Sequence, residues 1–167
     1  MPSESARAAS AAEVRYRIDA PNSRPRKIKV IALDRASEGV VKSLASRQWQ
    51  GASFLTMREA PPRGQPFSMQ GWLADLAGET RSLVDEIGAA DQVVMVATAG
   101  ENAEAASIIG EAASLKRVMT TGLIICGPQS SDEALSQTLA RLRPWALMLV
   151  IASAEDYIAD MLVALRA

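Results

Sequence analysis

Short apolar runs alternate with stretches of helical periodicity from Lys27 to the end of the chain. Most of these runs lack the polar alternation of a strand with one solvated face, which is typical of a sheet covered on both sides. Strands that alternate with helices form parallel sheets through right-handed crossovers. We therefore predict a three-layer α/β domain, in which a mostly parallel sheet of about five strands has helices on both faces. The predicted strands are residues 28–33, 52–57, 93–97, 122–126 and 146–151, and the longest apolar run, 145–152, predicts a buried strand.

Amphipathic stretches between the apolar runs predict the helices. The first begins at Asp34 or Ser37, since either side chain can cap a helix, and it ends near Gln48. Residues 70–88 carry apolar side chains at spacings of three, four and seven. This pattern predicts one long amphipathic helix that ends at Gly88.

Three more helices are predicted in the second half of the chain. One covers residues 102–115, and the other two begin at serines that each stand three residues before an acidic residue. These pairs, Ser130 with Glu133 and Ser153 with Asp156, have the spacing of a capping box.

The first 26 residues differ in composition from the rest. They are rich in Ser, Ala and Arg and contain too few large apolar side chains to offset the entropy of ordering them. We predict that residues 1–26 form a flexible basic N-terminal arm and that residues 27–167 form a single α/β domain. Apolar residues alternate with arginines over 14–18, which is the pattern of an edge strand. This part of the arm is therefore either solvated, or it forms a strand that pairs with a partner protein or with the sheet of this domain. We also expect Trp49 to be exposed. The candidate partner-binding residues are therefore Arg15, Tyr16, Arg17 and Trp49.

The composition excludes several function classes. The chain contains no His, which excludes Ser-His-Asp and Cys-His catalytic groups and the common His-containing zinc sites. A formal net charge of -1 gives no overall attraction to nucleic acid or to an acidic membrane surface, and we predict neither as a partner. Cys126 is the single cysteine, which is typical of a reducing compartment, so we expect a cytoplasmic protein.

Two loops form the predicted ligand crevice, because ligands of open parallel sheets bind beyond the carboxyl ends of the strands where the winding reverses. These loops are 34–39, after the first strand, and 98–102, after the third. A dinucleotide site needs a G-x-G-x-x-G turn after the first strand, but loop 34–39 contains a single Gly and two carboxylates. The candidate ligand-binding residues are Asp34, Arg35, Ser37, Gly39, Thr98, Gly100, Glu101 and Asn102.

The same loops allow plainer interpretations. Asn102 could cap the next helix and Gly100 could form a turn, with no ligand involved. Asp34, Glu38 and Glu101 could converge on a metal ion or form a solvated rim, and we predict no metal site. A Walker A sequence is absent, and the third strand does not end in the aspartate that a phosphoacceptor site requires.

Five segments carry a family resemblance: residues 27–32, 51–55, 89–97, 105–112 and 121–124. Together they resemble the nucleotide-binding half of the FtsZ and tubulin-like proteins over residues 27–163. The resemblance implies a Rossmann-like, FtsZ N-terminal-domain-like sheet, and it implies a nucleotide such as GTP or GDP as the family's ligand.

The chain departs from that family at the phosphate loop. The family's GGGTGTG loop corresponds to Thr-Ala-Gly-Glu-Asn-Ala-Glu over residues 98–104, which retains one glycine, Gly100. Glu101 and Glu104 place negative charge at a helix N-terminus, where the helix dipole would otherwise attract a phosphate. The family also completes GTP hydrolysis with acidic residues from a second domain of a neighbouring subunit, and we expect no such domain here.

These patterns predict a non-catalytic interaction domain with no catalytic residues and no cofactor. We expect it to act as a subunit or regulator of another protein, or to form a homo-oligomer, through the arm, the Pro-rich loop 58–68 or Trp49. The alternative is a small nucleotide- or metabolite-binding protein or enzyme, which would hold a nucleotide such as GTP or GDP between loops 34–39 and 98–102.

Overall fold

Seven strands form one mixed sheet in the computed structural model, which describes residues 24–57, 72–75 and 80–167. In chain order the strands are β1 (Ile28–Ala32), β2 (Ala52–Met57), β3 (Trp72–Asp75), β4 (Thr80–Ser82), β5 (Gln92–Thr98), β6 (Met119–Ile125) and β7 (Met148–Ala152). Across the sheet their order is β4-β3-β2-β1-β5-β6-β7. The neighbours β2, β1, β5, β6 and β7 are parallel, and β3 and β4 continue the sheet as antiparallel strands.

Helices cover both faces of this sheet. They are α1 (Arg35–Ala45), α2 (Leu83–Gly88), α3 (Ala105–Lys116), α4 (Asp132–Leu142) and α5 (Glu155–Ala164), with a 3-10 turn over Arg143–Trp145. α1 and α5 pack on the face that carries Val30 and Val94, whereas α2, α3 and α4 pack on the face that carries Ile31 and Met95. Because side chains alternate between the two faces of a strand, the apolar strands supply both cores. The predicted three-layer α/β fold is confirmed.

The predicted long helix over residues 70–88 is wrong. In the part of that range that the structure describes, the chain forms β3 and β4, and the helix is α2 alone. β3 runs antiparallel to β2, with Asp75 opposite Leu55. This pairing gives β2 ladder hydrogen bonds on its outer side, so tertiary pairing overrides the local helical pattern. The predicted helix end at Gly88 is confirmed.

Neither predicted capping box forms. Ser131, not Ser130, caps α4, and its Oγ accepts a hydrogen bond from Ala134 N at 3.1 Å. Ser130 Oγ instead accepts a hydrogen bond from Gly127 N at 3.0 Å in the preceding turn. α5 begins after Ala154, which supplies no side-chain cap. A serine beside a turn has more than one backbone donor within reach, so its spacing along the chain does not determine which donor it takes.

The prediction that residues 145–152 form a buried strand is also wrong. The run contains β7, which ends the sheet. Leu147, just before β7, is 79% exposed, and Ile151 within it is 49% exposed. An apolar run predicts a strand, but whether that strand is central or at an edge depends on which other strands pair with it.

The described helices include none with the length and apolar character needed to cross a bilayer.

A half-buried ion pair joins β1 to α2. Lys29 Nζ lies 2.7 Å from Glu86 Oε2, and the two side chains are 14% and 21% exposed. The replacement Lys29→Met is expected to lower the free energy of unfolding by about 1–3 kcal/mol, because Glu86 keeps a charge that is mostly withdrawn from water and loses its partner.

The double variant Lys29→Met with Glu86→Leu removes both charges and is expected to recover most of that loss. Urea denaturation of the wild type, both single variants and the double variant measures the effect. A double variant that is no more stable than Lys29→Met would contradict the expectation.

Candidate functional site

The two loops predicted to form the crevice lie side by side. β1 and β5 are adjacent parallel strands, with Ala32 opposite Val96. Leu33 N donates a hydrogen bond to Val96 O at 2.9 Å, which extends this pairing past the end of β1. Asp34 and Thr98 therefore follow neighbouring strands at the same edge of the sheet, which is the usual place for a ligand in such folds.

The carboxylate of Asp34 joins the two loops. Its Oδ1 accepts a hydrogen bond from Ser37 N at 2.7 Å, and its Oδ2 accepts one from Thr98 N, also at 2.7 Å. The Ser37 hydroxyl donates to Asp34 O at 2.9 Å, and it accepts from Asp34 N at 3.3 Å. Both residues are buried. Asp34 is therefore the N-cap of α1 and also the link between β1 and the loop after β5.

This arrangement places a negative charge where a bound anion would lie. The N-terminus of a helix attracts anions through its exposed N–H groups and its dipole. At α1 the chain's own carboxylate satisfies that preference, and its second oxygen takes the backbone donor of Thr98. A phosphate at this position would have to displace Asp34 from both donors.

The loop after β5 is held against α4. Gly100 adopts a φ of +88°, a backbone conformation that favours glycine, and its N–H donates to Thr138 Oγ1 at 2.9 Å. A Cβ at Gly100 would lie 3.1 Å from Ala134 Cβ. The Thr138 hydroxyl in turn donates to Ala134 O at 3.1 Å. The turn at Gly100, one of the plainer interpretations of the sequence, is present.

Thr138 is a site residue that the sequence analysis missed. It is 2% exposed and lies three residues after Leu135 and four before Leu142, so it is on the apolar face of α4. A single Thr among leucines on that face could have indicated a contact with another segment, because a buried hydroxyl requires a hydrogen-bond partner.

One of the two acidic residues ahead of α3, Glu104, also finds partners within the chain. Asn102 Oδ1 accepts a hydrogen bond from Glu104 N at 3.0 Å, so Asn102 closes a turn before α3 and is not its N-cap residue. Glu104 Oε1 lies 3.1 Å from Arg141 Nη1 on α4. Glu101 is exposed on the same loop. Together these contacts tie the loop to α4 and leave its surface acidic.

The remaining candidates lie outside the Asp34 contact. Arg35 and Gly39 are exposed on α1. Within the described ranges, no three Asp, Glu or Cys side chains are grouped so that they could hold a metal ion. The structure thus brings together Asp34, Ser37 and Thr98, and it connects Gly100 to a different helix.

Trp49 is half-buried rather than exposed. Its Nε1 donates to Leu44 O at 2.7 Å, and its ring packs on Phe54 at a centroid distance of 5.9 Å. It also lines a cavity of about 550 Å³ together with Arg24, Gln48, Val163 and Arg166. Because Trp49 precedes the first residue of β2, this cavity is at the opposite end of the sheet from Asp34.

Two predicted regions lie outside the described residues. One is the arm before Arg24, which contains the candidate partner-binding residues Arg15, Tyr16 and Arg17, and the other is the Pro-rich loop over 58–68.

Comparisons with solved structures give alignments over most of this chain at low sequence identity. No protein-family model matches the sequence, and no curated protein matches it. The apo-form flavoprotein from Lactobacillus acidophilus NCFM aligns over 82% of this chain and 99% of its own, with 6% identity and a TM-score of 0.47. Translation elongation factor SelB from Methanococcus maripaludis, also in its apo form, aligns over 83% of this chain, with 12% identity and a TM-score of 0.44. This chain covers 36% of the SelB chain.

Proposed function

We propose that this chain is a non-catalytic interaction domain whose ligand crevice is closed by its own side chains. The observation that carries the proposal is the double contact of Asp34, which holds Ser37 N and Thr98 N through its two carboxylate oxygens. The chain then acts by contact with other protein chains and not by binding a small anion. The resemblance to FtsZ and tubulin-like proteins belongs to the same proposal, as a description of ancestry.

Electrostatics support this view of the crevice. Coulomb repulsion between a carboxylate and a phosphate about 4 Å apart is on the order of 4 kcal/mol at an effective dielectric constant near 20. Entry of a phosphate would also break two hydrogen bonds to a charged acceptor, which contribute roughly 1.5–3 kcal/mol each. Arg141, which lies beside this loop, already pairs with Glu104. A nucleotide would have to offset all of these terms before it could bind.

A thermal-shift titration of the whole chain tests the proposal. GTP, GDP and NAD, each with and without Mg²⁺, are expected to change the melting temperature by less than about 1 °C. A ligand at 100 times its dissociation constant would add about 2.7 kcal/mol, which corresponds to roughly 5–10 °C for a domain of this size.

The control for this titration is a nucleotide-binding protein measured with the same ligand stocks. A saturable rise in the melting temperature of this chain with any of the three nucleotides would overturn the proposal and favour the alternative of a nucleotide-binding protein.

A further inference from the structure

Three of the seven large apolar side chains that are exposed among the described residues lie on or beside β7. No described strand pairs with β7 on the side away from β6. Met148 and Ile151 on β7 are 41% and 49% exposed, and Leu147 beside it is 79% exposed. The register with β6 places Met148 on the face covered by α5 and Ile151 on the opposite face. The edge is therefore apolar on both faces of the sheet.

This edge lacks the features that usually prevent strand pairing. Natural edge strands carry charges, prolines or bulges, or they are very short. The other edge of the sheet, β4, is three residues long and includes Arg81. In contrast, residues 145–154 contain no ionisable side chain and no proline. An edge of this kind is well suited to accept another strand.

The backbone of β7 also presents hydrogen-bonding groups in a defined register. Cys126 N donates to Ala152 O at 2.9 Å, and Thr121 lies opposite Met148. Main-chain groups of a strand alternate in direction, so Met148, Val150 and Ala152 direct theirs toward β6. The N–H and C=O groups of Leu149 and Ile151 therefore point away from the sheet.

We propose that β7 is a self-association edge, at which two copies of this chain pair their β7 strands antiparallel about a two-fold axis at Val150. Leu149 then lies opposite the partner's Ile151, and Ile151 lies opposite the partner's Leu149. These are the residues with outward main-chain groups, so the two hydrogen-bonded pairs close with four hydrogen bonds. The contact is isologous, because each copy uses the same residues.

Side-chain chemistry favours a second copy as the occupant. A strand that is apolar on both faces makes apolar cross-strand pairs with both faces of β7, and β7 itself is such a strand. Val150 meets the partner's Val150 on one face, and Leu149 meets the partner's Ile151 on the other. The segment 14–18 alternates apolar residues with Arg15 and Arg17, so it would place guanidinium groups beside apolar side chains on one face. An uncharged strand also pairs with its own copy without like-charge repulsion.

Self-association at β7 extends the proposed function, since it names one protein contact and the partner that makes it. It rests on the proposed function only in treating the chain as an interaction domain. Nucleotide titration tests the crevice and association measurements test β7, so the failure of one is distinguishable from the failure of the other.

Cysteine cross-linking tests the register. In the full chain carrying Cys126→Ser, Val150→Cys is expected to form a disulfide-linked dimer on mild oxidation, because Cα atoms of such a non-hydrogen-bonded pair lie about 4.5 Å apart. Ile151→Cys in the same background is the matched control. Its two Cα atoms would be more than about 8 Å apart, beyond the span of a disulfide. Equal cross-linking of both variants, or none with Val150→Cys, would contradict the register.

Sedimentation equilibrium over a concentration series tests the association itself. The wild type is expected to show a monomer–dimer equilibrium. Ile151→Lys, which places two ammonium groups in the contact, and Ile151→Pro, which removes an outward N–H, are each expected to raise the dissociation constant at least tenfold. The control is Leu115→Lys on α3, where the leucine side chain is 61% exposed, and it is expected to leave the dissociation constant unchanged.

Circular dichroism and the melting temperature confirm that each variant is folded. A wild type that stays monomeric at all concentrations overturns the proposal, as does a dimer that persists in folded Ile151→Lys and Ile151→Pro. A chain that dimerises only after deletion of residues 1–23 also overturns it, since the arm would then be what covers the edge.

Discussion

The replacement Asp34→Ala is expected to lower the free energy of unfolding by about 2–4 kcal/mol. The loss has two parts, because the carboxylate caps α1 through Ser37 N and also holds Thr98 N in the loop after β5. Loss of a helix cap costs about 1 kcal/mol, and a partly buried N–H without its acceptor adds about 1–3 kcal/mol. Urea denaturation followed by circular dichroism measures the change.

Two variants serve as controls for Asp34→Ala. Ser131→Ala removes the cap of α4, an exposed side chain with one hydrogen bond to Ala134 N, and is expected to cost about 0.5–1 kcal/mol. Asp34→Asn keeps one acceptor oxygen of the two and is expected to lie between the other variants. If Asp34→Ala cost no more than Ser131→Ala, the contact with Thr98 would contribute nothing to stability.

The replacement Gly110→Ala is expected to lower the free energy of unfolding by about 1–2 kcal/mol, although alanine is the better helix former by about 1 kcal/mol. Gly110 lies in α3 at the point where the Trp145 side chain packs against the helix. An added Cβ would lie 2.5 Å from Trp145 Cβ and 2.9 Å from Trp145 Cγ. The tryptophan must shift to relieve that overlap, and its shift disturbs the turn that leads into β7.

Gly39→Ala is the matched control for Gly110→Ala. Gly39 is exposed within α1, and an added Cβ would meet no atom within 4 Å. The same chemical change is therefore expected to raise the free energy of unfolding by about 0.5–1 kcal/mol. Thermal unfolding of both variants measures the difference, and a Gly110→Ala variant as stable as Gly39→Ala would show that Trp145 moves at little cost.

The local part of the Asp34 contact was predictable from the sequence. Asp34 stands at the end of an apolar run and just before an amphipathic stretch, so a cap at Asp34 or Ser37 was expected. The hydrogen bond to Thr98 was not, because it spans 64 residues and depends on which strand lies beside β1. The contact between Gly100 and Thr138 was missed for the same reason.

Periodicity alone determined that the chain forms a mostly parallel α/β sheet with helices on both faces, because apolar runs and amphipathic stretches are properties of neighbouring residues. Strand pairing decided the rest. It placed β3 and β4 within the predicted helix 70–88, put the apolar run 145–152 at an edge of the described sheet, and brought Asp34 to Thr98. Pairing energies arise between residues far apart in the chain, so only the tertiary structure could show that Asp34 contacts Thr98 and that no described strand pairs with β7 on the side away from β6.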